Sequence, residues 1–327
     1  FWVSLGLTVY TYLLYPLGLA ALCAVARLRR RRRNPPPDLP GDDALPTLTM
    51  VVSAFNEQAV LPAKIANCKN LDYPPEKITF LIGSDGSTDG TARILRRLDD
   101  PRFQVVLCRL RRGKAALLNR LLEQVTSEIV VLSDANTIYA RDALRRLVRR
   151  FSDPRVGAVI GRLDLYAAGR TGRVCLAESL YWRYENRIKR MENVLGCVPA
   201  VNGGIFALRR ELFRPLPENA VTEDQVLGMR IMAGGHRCVF APEARARESV
   251  SDWAGELRRR VRISAGNFQS LLLVRSILNP LRGRVWFAFV SHKLLRWLVP
   301  FFLVALFFSS LLLAREVFYG GAFFVQG

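Results

Sequence analysis

The chain has 327 residues, enough for one large domain or two small ones, and its formal net charge is +20. It has two histidines and six cysteines, with no CxxC pair, which argues against a histidine-based zinc site and against a Ser/His/Asp triad. Cysteines scattered in this way are typical of the interior of a protein in a reducing compartment.

The first 26 residues contain no charged side chain, and a bilayer is crossed by about 20 apolar residues. An arginine block follows at Arg27 and at residues 29–33, and such blocks stay on the cytoplasmic side of a span. A signal peptide is the alternative, but there the positive charge precedes the apolar run. The sequence therefore predicts a transmembrane helix over residues 1–26 and a cytoplasmic middle of the chain.

Residues 27–46 read as a basic, proline-rich linker, and residues 47–275 alternate between strand and helix patterns. Strands are predicted at 47–54, 78–83, 103–107, 128–132, 156–160 and 205–208, and helices at 60–70, 91–98, 112–124, 142–151 and 175–192. This alternation is typical of an α/β sheet. Polar residues gather where the strands stop, and in open α/β sheets ligands bind at that edge.

The second predicted strand runs into residues 84–90, Ser-Asp-Gly-Ser-Thr-Asp-Gly. A turn that begins the next helix explains this composition. A nucleotide site in which Asp85 holds a base or ribose explains it equally well. The stretch is not a GxGxxG sequence, which disfavours dinucleotide binding of the usual kind.

Asp134 and Asn136 follow a buried strand, two residues apart. An extended backbone would point both side chains in one direction, as suits a divalent cation shared with a diphosphate. A plain strand-ending turn is the alternative, and for an isolated Asp-x-Asn it is the commoner one. Lys114, behind a glycine at a predicted helix start, would add positive charge for a phosphate, although a solvated lysine is commoner.

Thr222 precedes an apolar run with helical spacing, so we predict that it is a helix N-cap. Glu223 and Asp224 then fall in the first turn, where the helix dipole favours carboxylates. That explains the acidic pair as a helix start. A second interpretation makes Asp224 a general base held at this position.

Two further motifs have ordinary explanations as well as functional ones. The Asn-Gly-Gly sequence at 202–204 is either a tight turn or a place where a bulky ligand approaches the backbone. A helix predicted over 258–269 places Arg259 and Arg262 on one face. A basic surface facing water or lipid explains the arginine pair equally simply.

The C-terminal part mixes aromatic, basic and apolar residues. Residues 276–297, with Trp286, Lys293 and Trp297 among them, suit a helical segment at the level of lipid headgroups. Residues 298–314 are uncharged and just long enough to span a bilayer, and residues 317–327 look like the start of another span. We expect transmembrane segments over 298–327 and further spans beyond them.

Taken in order, these motifs resemble the signature of the processive-type family 2 glycosyltransferases, the GT-A group that includes the hyaluronan, chitin, cellulose and poly-N-acetylglucosamine synthases. The resemblance covers residues 46–269. It rests on Asp85, Asp134-x-Asn136, Asn202-Gly203-Gly204, Thr222-Glu223-Asp224 and Arg259-x-x-Arg262. It implies an α/β fold of the GT-A type, a Rossmann-like mixed sheet with helices on both faces, flanked by transmembrane and interfacial helices.

The resemblance also implies roles for individual residues. Asp224 would be the catalytic base, Arg262 would assist the leaving diphosphate, and Asp134 with Asn136 would hold Mg²⁺ or Mn²⁺. The residues implied in nucleotide-sugar binding are Phe55, Asn56, Glu57, Asp85, Lys114, Asp134 and Arg259. Those implied on the acceptor side are Asn202, Gly203, Gly204 and Glu223.

Two positions depart from the family's pattern. Its metal motif is usually Asp-x-Asp, so Asn136 removes one negative charge. Its Gln-x-x-Arg-Trp motif aligns with residues 259–263, which keep Arg262 but have no tryptophan to stack on an acceptor sugar. This departure weakens the case for polymer synthesis and leaves transfer of a single sugar.

The sequence thus predicts an inverting, metal-dependent hexosyl- or N-acetylhexosaminyltransferase. Its donor would be a nucleotide sugar, usually a UDP-sugar in this family, and its acceptor a polysaccharide, oligosaccharide or lipid-linked glycan at the cytoplasmic face of the plasma membrane, in a multi-pass protein. The alternatives are a nucleotidyltransferase of the same fold and a non-catalytic scaffold that holds anionic lipid. We expect no nucleic-acid partner, because the arginine blocks lie beside apolar spans, and the sequence does not indicate an oligomeric state.

Overall fold

The computed structural model describes residues 1–29, 41–166, 173–249, 253–314 and 316. The chain divides into two compact units, one made of Phe1–Arg32 with Leu278–Gly327 and the other of Arg33–Ile277. Residues 30–40 of the predicted linker and the predicted span at 317–327 lie outside the described residues. The predicted boundaries of linker, catalytic and interfacial segments therefore stay predictions.

The larger unit is built on one sheet, which has eight strands in the described part of the chain. These are β1 Leu48–Ala54, β2 Ile78–Asp85, β3 Phe103–Cys108, β4 Ile129–Asp134, β5 Thr137–Tyr139, β6 Val156–Tyr166, β7 Phe206–Arg209 and β8 Arg237–Ser249, in the spatial order β3-β2-β1-β4-β7-β6-β8-β5. The first four strands in that order are mutually parallel, as are β6 and β8, while β7 and β5 pair antiparallel with their neighbours. The prediction of a mixed α/β sheet is confirmed.

Helices cover both faces of this sheet. In chain order the helices of the whole chain are α1 Trp2–Val9, α2 Tyr15–Arg29, α3 Leu61–Lys69, α4 Thr91–Arg96, α5 Lys114–Leu122, α6 Ala143–Val148, α7 Arg173–Leu195, α8 Glu223–Ala233, α9 Trp253–Leu273, α10 Arg284–Phe289 and α11 Leu295–Leu312. In β1, Met50 and Val52 join a core that includes Leu61 of α3, while Val51 lines a cavity with Leu118 of α5. Since both faces are covered, β1 and β4 read as almost continuous apolar runs.

The strand register brings the polar strand ends to one edge. Ser53 of β1 pairs with Asp134 of β4, and Ala54 pairs with Ser84 of β2. The segment after β1 and the ends of β2 and β4 therefore share the carboxyl edge of the sheet, as the sequence predicted.

The structure also contains elements that the sequence did not reveal. The short β5 and the long β8 complete the sheet. In β8 the inward positions Ala244, Ala246 and Glu248 alternate with the exposed Arg245 and Arg247. Because the segment contains many charged residues, its sequence did not indicate a strand. The helix expected from residue 258 begins earlier, at the first residue of α9.

Helix α9 is fastened to the start of α8. Gln269 accepts a hydrogen bond from the Val221 amide and donates one to the Asn219 carbonyl, both at 2.9 Å. A Cβ atom at Gly266 would lie 2.6 Å from Thr222 Cγ2, so this contact requires glycine. Thr222 is the N-cap residue, as predicted, but its buried hydroxyl makes no capping hydrogen bond.

The smaller unit contains, within the described residues, two helical segments that are long and apolar enough to cross a membrane by length and composition. They are Trp2–Ala26 and Arg284–Leu312. The Tyr10 and Ser291 hydroxyl oxygens lie 2.8 Å apart and join the two segments. Residues 284–297, most of the stretch predicted to lie at the lipid headgroups, belong to the same continuous helical segment as α11.

A completely buried lysine supports the end of β4. Lys64 of α3 donates hydrogen bonds to Ser133 Oγ at 2.7 Å and to the Thr137 carbonyl at 2.6 Å. Its ammonium nitrogen also lies 4.7 Å from the centroid of the Tyr139 ring. Burial lowers the pKa of Lys64 to about 8. Lys64 thus ties α3 to both ends of the turn that contains Asp134.

We predict that Lys64→Met loosens this turn. The substitution keeps an apolar side chain but leaves the buried Thr137 carbonyl unpaired, which costs about 1–3 kcal/mol. Hydrogen exchange followed by mass spectrometry should show faster exchange in peptides that cover residues 133–139. Lys69→Met, an exposed position on the same helix, is the control. Equal exchange in both variants would contradict the supporting role of Lys64.

Candidate active site

Lys114, the first residue of α5, lies at the centre of the polar edge. Its ammonium nitrogen is 2.7 Å from Asp134 Oδ1, and it also forms an ion pair with Glu223. Burial disfavours the charged lysine, but the two carboxylates outweigh that effect and raise the pKa of Lys114 above its ordinary value. The three side chains thus form one charged group across β4, α5 and α8.

Asp134 is held in its ionised form. Burial acts to raise its pKa, but Lys114, followed by Arg259 and Lys64, lowers the pKa of Asp134 below its ordinary value. One third of its side chain is exposed, at 33%, so a ligand can reach the carboxylate from solvent.

Asp224 lies beside this group and has the opposite character. Its Oδ2 is 3.4 Å from the position that a Cβ would take on Gly203, and its Oδ1 accepts a hydrogen bond from the Gln225 amide at 2.8 Å. Burial and the neighbouring charge of Glu223 raise the pKa of Asp224 to about 6. Because this pKa is higher in the folded chain than in the unfolded chain, the protonated carboxyl group stabilises the fold at a pH below the pKa of the unfolded chain. This stabilisation is lost as the pH rises through 6. Ionised Asp224 therefore costs the fold stability at neutral pH, which is typical of a functional carboxylate.

A small cavity unites these groups. Lys114, Asp134, Gly203, Glu223 and Asp224 all line it, over a floor that includes Val51 and Leu132. The structure therefore brings five of the residues singled out in the sequence into one place.

Asp85 supports the loop that leads to Lys114. Its carboxylate accepts hydrogen bonds from the Arg112 amide at 2.9 Å and the Gly113 amide at 2.8 Å. Asp85 is buried, and these contacts place the first residue of α5 at the edge of the sheet. Its predicted role in holding a nucleotide base stays a prediction.

The loop after β1 is tied to the loop after β2. Asn56 has a φ angle of 56°, a backbone conformation that asparagine tolerates better than most residues, and its Oδ1 accepts from the Thr88 amide at 2.8 Å. The Arg111 guanidinium lies 3.9 Å from the centroid of the Phe55 ring. The nucleotide roles predicted for residues 55–57 stay predictions.

The metal motif differs from its predicted geometry. Strand β4 ends at Asp134 and residues 135–136 form a turn, so the backbone does not stay extended. As a result Asp134 contacts Lys114, whereas Asn136 Nδ2 donates a hydrogen bond to Glu248 Oε1 at 3.2 Å. The described residues contain no group of three or more His, Cys, Asp or Glu side chains that could hold a metal ion.

The two predicted ligands nevertheless fit a divalent cation shared with a diphosphate. Asp134 offers a carboxylate and Asn136 an amide oxygen, and both are the hard oxygen ligands that Mg²⁺ and Mn²⁺ accept. Mg²⁺ is usually held by one or two carboxylates together with phosphates and water, so a small protein donor set suffices. The metal role of this pair stays a prediction.

Glu248 is the site residue that the sequence analysis missed. It is buried at the end of β8, and burial raises its pKa while Arg259 opposes the increase. Burial raises the pKa of Glu57, and the negative charges of Asp134, Asp89 and Glu248 raise it further, in that order of effect. The alternation of alanine and arginine before Glu248 was the available signal, because that pattern points this residue inward.

The predicted arginines lie in different surroundings. Arg259 Nη2 is 3.8 Å from Glu248 Oε1, which brings Arg259 to the metal motif. Arg262 is exposed, one turn further along α9. On the acceptor side, Asn202 accepts a hydrogen bond from the Ile205 amide at 3.3 Å and so shapes the Gly-Gly turn. The predicted role of Arg262 stays a prediction.

The mixed sheet, with a lysine and several carboxylates at its carboxyl edge, has the GT-A glycosyltransferase fold. The model of the family described as "Glycosyl transferase family 2" matches residues 49–216. This match covers half of the chain, and the chain therefore belongs to glycosyltransferase family 2.

Individual proteins extend the likeness. The chain is 27% identical over 267 residues to an N-acetylglucosaminyltransferase of Rhizobium meliloti (strain 1021), covering 76% of this chain and 62% of that protein. It is 28% identical over 246 residues to the poly-beta-1,6-N-acetyl-D-glucosamine synthase of Staphylococcus aureus (strain COL), covering 73% of this chain and 58% of that protein. The chain thus spans about three fifths of the length of these curated relatives.

A solved structure matches over nearly the full length of both chains. It is the mannosyltransferase PcManGT from Pyrobaculum calidifontis in complex with GDP-Man and Mn2+. The TM-score is 0.68 at 25% sequence identity, with 99% of this chain and 94% of that chain covered.

We predict that Asp85→Asn exposes the loop before α5. An asparagine keeps one acceptor oxygen where the carboxylate has two, so it cannot satisfy both the Arg112 and Gly113 amides in the same way. Limited digestion with trypsin should cut within residues 109–114 at least several-fold faster. Asp99→Asn, at an exposed position, should digest like the wild type. Unchanged cleavage in Asp85→Asn would show that the loop does not depend on this carboxylate.

Proposed function

We propose that the chain is an inverting glycosyltransferase that uses a nucleotide-sugar donor, with Asp224 as its general base. The observation that carries this proposal is the position of Asp224 in one cavity with Lys114 and Asp134. A pKa near 6 leaves Asp224 ionised at neutral pH and still basic enough to accept a proton. Membership of family 2 and the GT-A fold support the same reaction class.

In the proposed reaction an acceptor hydroxyl attacks the anomeric carbon and a nucleoside diphosphate leaves. Asp224 takes the hydroxyl proton as the new bond forms, and a single displacement of this kind needs one base. Lys114 places positive charge where the diphosphate carries its growing negative charge, and Asp134 holds that lysine in position. A divalent cation bound at Asp134 and Asn136 would add further neutralisation of the leaving group.

For the donor we propose a UDP-N-acetylhexosamine. Two relatives that match about three quarters of the chain are N-acetylglucosamine-transferring enzymes by name. GDP-mannose is the second candidate, because the structure that matches 99% of the chain is a mannosyltransferase in complex with GDP-Man. The acceptor would be a polysaccharide, oligosaccharide or lipid-linked glycan, as synthesis of poly-N-acetylglucosamine by a relative suggests.

We place this reaction at the cytoplasmic face of the plasma membrane, in a multi-pass protein. The two apolar helical segments support a bilayer as partner. The arginines at 27 and 29–33, next to the first segment, support a cytoplasmic catalytic unit. Mn²⁺ in the mannosyltransferase complex supports a divalent cation as cofactor.

The proposal is tested by incubating the full-length protein in detergent or membranes with a panel of donors and measuring release of the nucleoside diphosphate. UDP-GlcNAc, UDP-GalNAc and GDP-Man form the panel, with Mg²⁺ or Mn²⁺ present. We predict that Asp224→Asn lowers transfer by at least about 100-fold, since a general base contributes about 10²–10⁴ to the rate. Binding of the nucleotide should persist.

Asp142→Asn is the matched control, because Asp142 also stands at a helix start and lies outside the cavity. Near-normal transfer by Asp224→Asn would return Asp224 to a purely structural role. Release of pyrophosphate from a nucleoside triphosphate and a sugar phosphate would instead favour a nucleotidyltransferase. Wild-type protein that neither transfers nor hydrolyses any donor, and that tolerates alanine at Asp85, Asp134 and Asp224, would favour a scaffold.

The raised pKa of Asp224 predicts the pH dependence of the reaction. The base acts when ionised, so kcat/KM should fall about tenfold per pH unit below about pH 6 and level off above it. An aspartate with the ordinary pKa of 3.8 would place this limb about two pH units lower. Initial rates between pH 4.5 and 8 at low donor concentration provide the measurement. A rate that stays constant down to pH 5 would argue against Asp224 as the base.

A further inference from the structure

Glu248 is a buried carboxylate that touches the metal motif from a distant part of the chain. Its Oε1 accepts a hydrogen bond from Asn136 Nδ2 at 3.2 Å across a sequence separation of 112 residues. The backbone brings the two together, because Glu248 pairs with Thr137 where β5 meets β8. Only 6% of Glu248 is exposed.

The position of Glu248 in β8 makes a packing role a poor explanation. The two preceding inward positions are Ala244 and Ala246, which are small and apolar. A buried carboxylate costs free energy unless charges and hydrogen bonds compensate it, and a small apolar residue would avoid that cost. Glu248 finds its partners in Asn136 and Arg259, and both belong to motifs of the active site.

The hydrogen bond determines how the Asn136 side chain is turned. A carboxylate only accepts hydrogen bonds, so the amide nitrogen of Asn136 must face Glu248. The carbonyl oxygen Oδ1 then points away from Glu248 and is left for another partner. A cation can be bound only through this oxygen, because the amide nitrogen carries two hydrogens and has no lone pair to offer.

The contact between Asn136 and Glu248 also changes the charge near the metal motif. An Asp-x-Asp motif would provide two negative charges, and Asn136 reduces that number to one. Glu248 restores a second negative charge beside the motif, although it comes from β8. Because the described residues contain no metal-holding group of three acidic or His/Cys side chains, Glu248 fits a position behind Asn136 better than one among the ligands.

We propose that Glu248 is a positioning residue for the divalent cation. It turns the Asn136 carbonyl oxygen toward the cation and supplies the charge that an asparagine at this position lacks. This inference rests on the proposed function only in its use of a cation with a nucleoside diphosphate. It needs neither a particular sugar nor a particular acceptor.

The test measures cation binding directly. Mn²⁺ is titrated into full-length protein saturated with UDP, or with GDP if that nucleotide binds, and free Mn²⁺ is followed by electron paramagnetic resonance. We expect Glu248→Gln to weaken Mn²⁺ binding by about 10–100-fold, the usual effect of losing a residue that orients a metal ligand. Glutamine removes the charge, and its own amide can face Asn136 in either orientation.

A matched control lies on the same strand. Glu243 is also ion-paired with an arginine, Arg150, and makes no described contact with the metal motif. Glu243→Gln should bind Mn²⁺ like the wild type. If Glu248→Gln binds equally well, this inference fails and the proposed function stands. If the wild type binds no Mn²⁺ with either nucleotide, the metal-dependent function and this inference both fail.

Rescue separates orientation and charge from general damage. In Glu248→Gln combined with Asn136→Asp, two equivalent oxygens remove the need for orientation and the lost charge returns. Mn²⁺ affinity should then recover to within about threefold of the wild type; weak binding in the folded double variant would contradict the proposal. Circular dichroism checks folding, and if Glu248→Gln does not fold, Glu248→Asp takes its place. That variant shortens the reach to Asn136, and unchanged Mn²⁺ affinity in it would overturn the inference.

Discussion

The edge that carries the candidate active site depends on one positively charged side chain, Lys114, held among carboxylates. Lys114 contacts Asp134 of β4 and Glu223 of α8, and these three residues line one small cavity with Asp224. Without a positive charge, three carboxylates in a partly desolvated space would repel one another, and some would have to take up protons. The position of Lys114 depends in turn on Asp85, whose carboxylate binds the two amides before α5. A buried aspartate at the end of β2 therefore organises charges at the ends of β4 and α8.

This arrangement gives Asp134 and Asp224 pKa values that are shifted in opposite directions. The same lysine that lowers the pKa of Asp134 is engaged by Glu223, so Asp224 experiences burial and the negative charge of its neighbour more strongly than the positive charge. One carboxylate is consequently fixed as an anion and another is able to accept a proton. Pairs of acids driven apart in pKa by their surroundings are a general means of running acid–base chemistry near neutral pH. Glu223 is the second ion-pair partner of Lys114, and its predicted role on the acceptor side stays a prediction.

Much of this edge could be predicted from the sequence, for a definable reason. Strands β1, β2 and β4 are parallel, so residues that follow their apolar runs must meet at one edge, and Asp85 and Asp134 were identified on that basis. Glu248 escaped prediction because β8 carries arginines at alternate positions and its pairing with β5 joins distant parts of the chain. The buried position of Lys64 was not predicted, because a lysine on a helix is usually solvated and the neighbouring residues in the sequence do not indicate that this one is completely buried.

Helix α9 contacts both Glu248, the partner of Asn136, and the segment that leads into α8. Toward its beginning, Arg259 reaches Glu248, which in turn holds Asn136 of the metal motif. Two turns further on, Gly266 and Gln269 fix the segment that leads into α8 and therefore the position of Asp224. Helix α9 is therefore fastened both near Asn136 and at the start of α8, so a shift of α9 at one of these places would strain the contacts at the other. The contact at Gly266 is close, because a Cβ there would lie 2.6 Å from Thr222 Cγ2, so a larger residue would force α9 or the residues at the start of α8 to move.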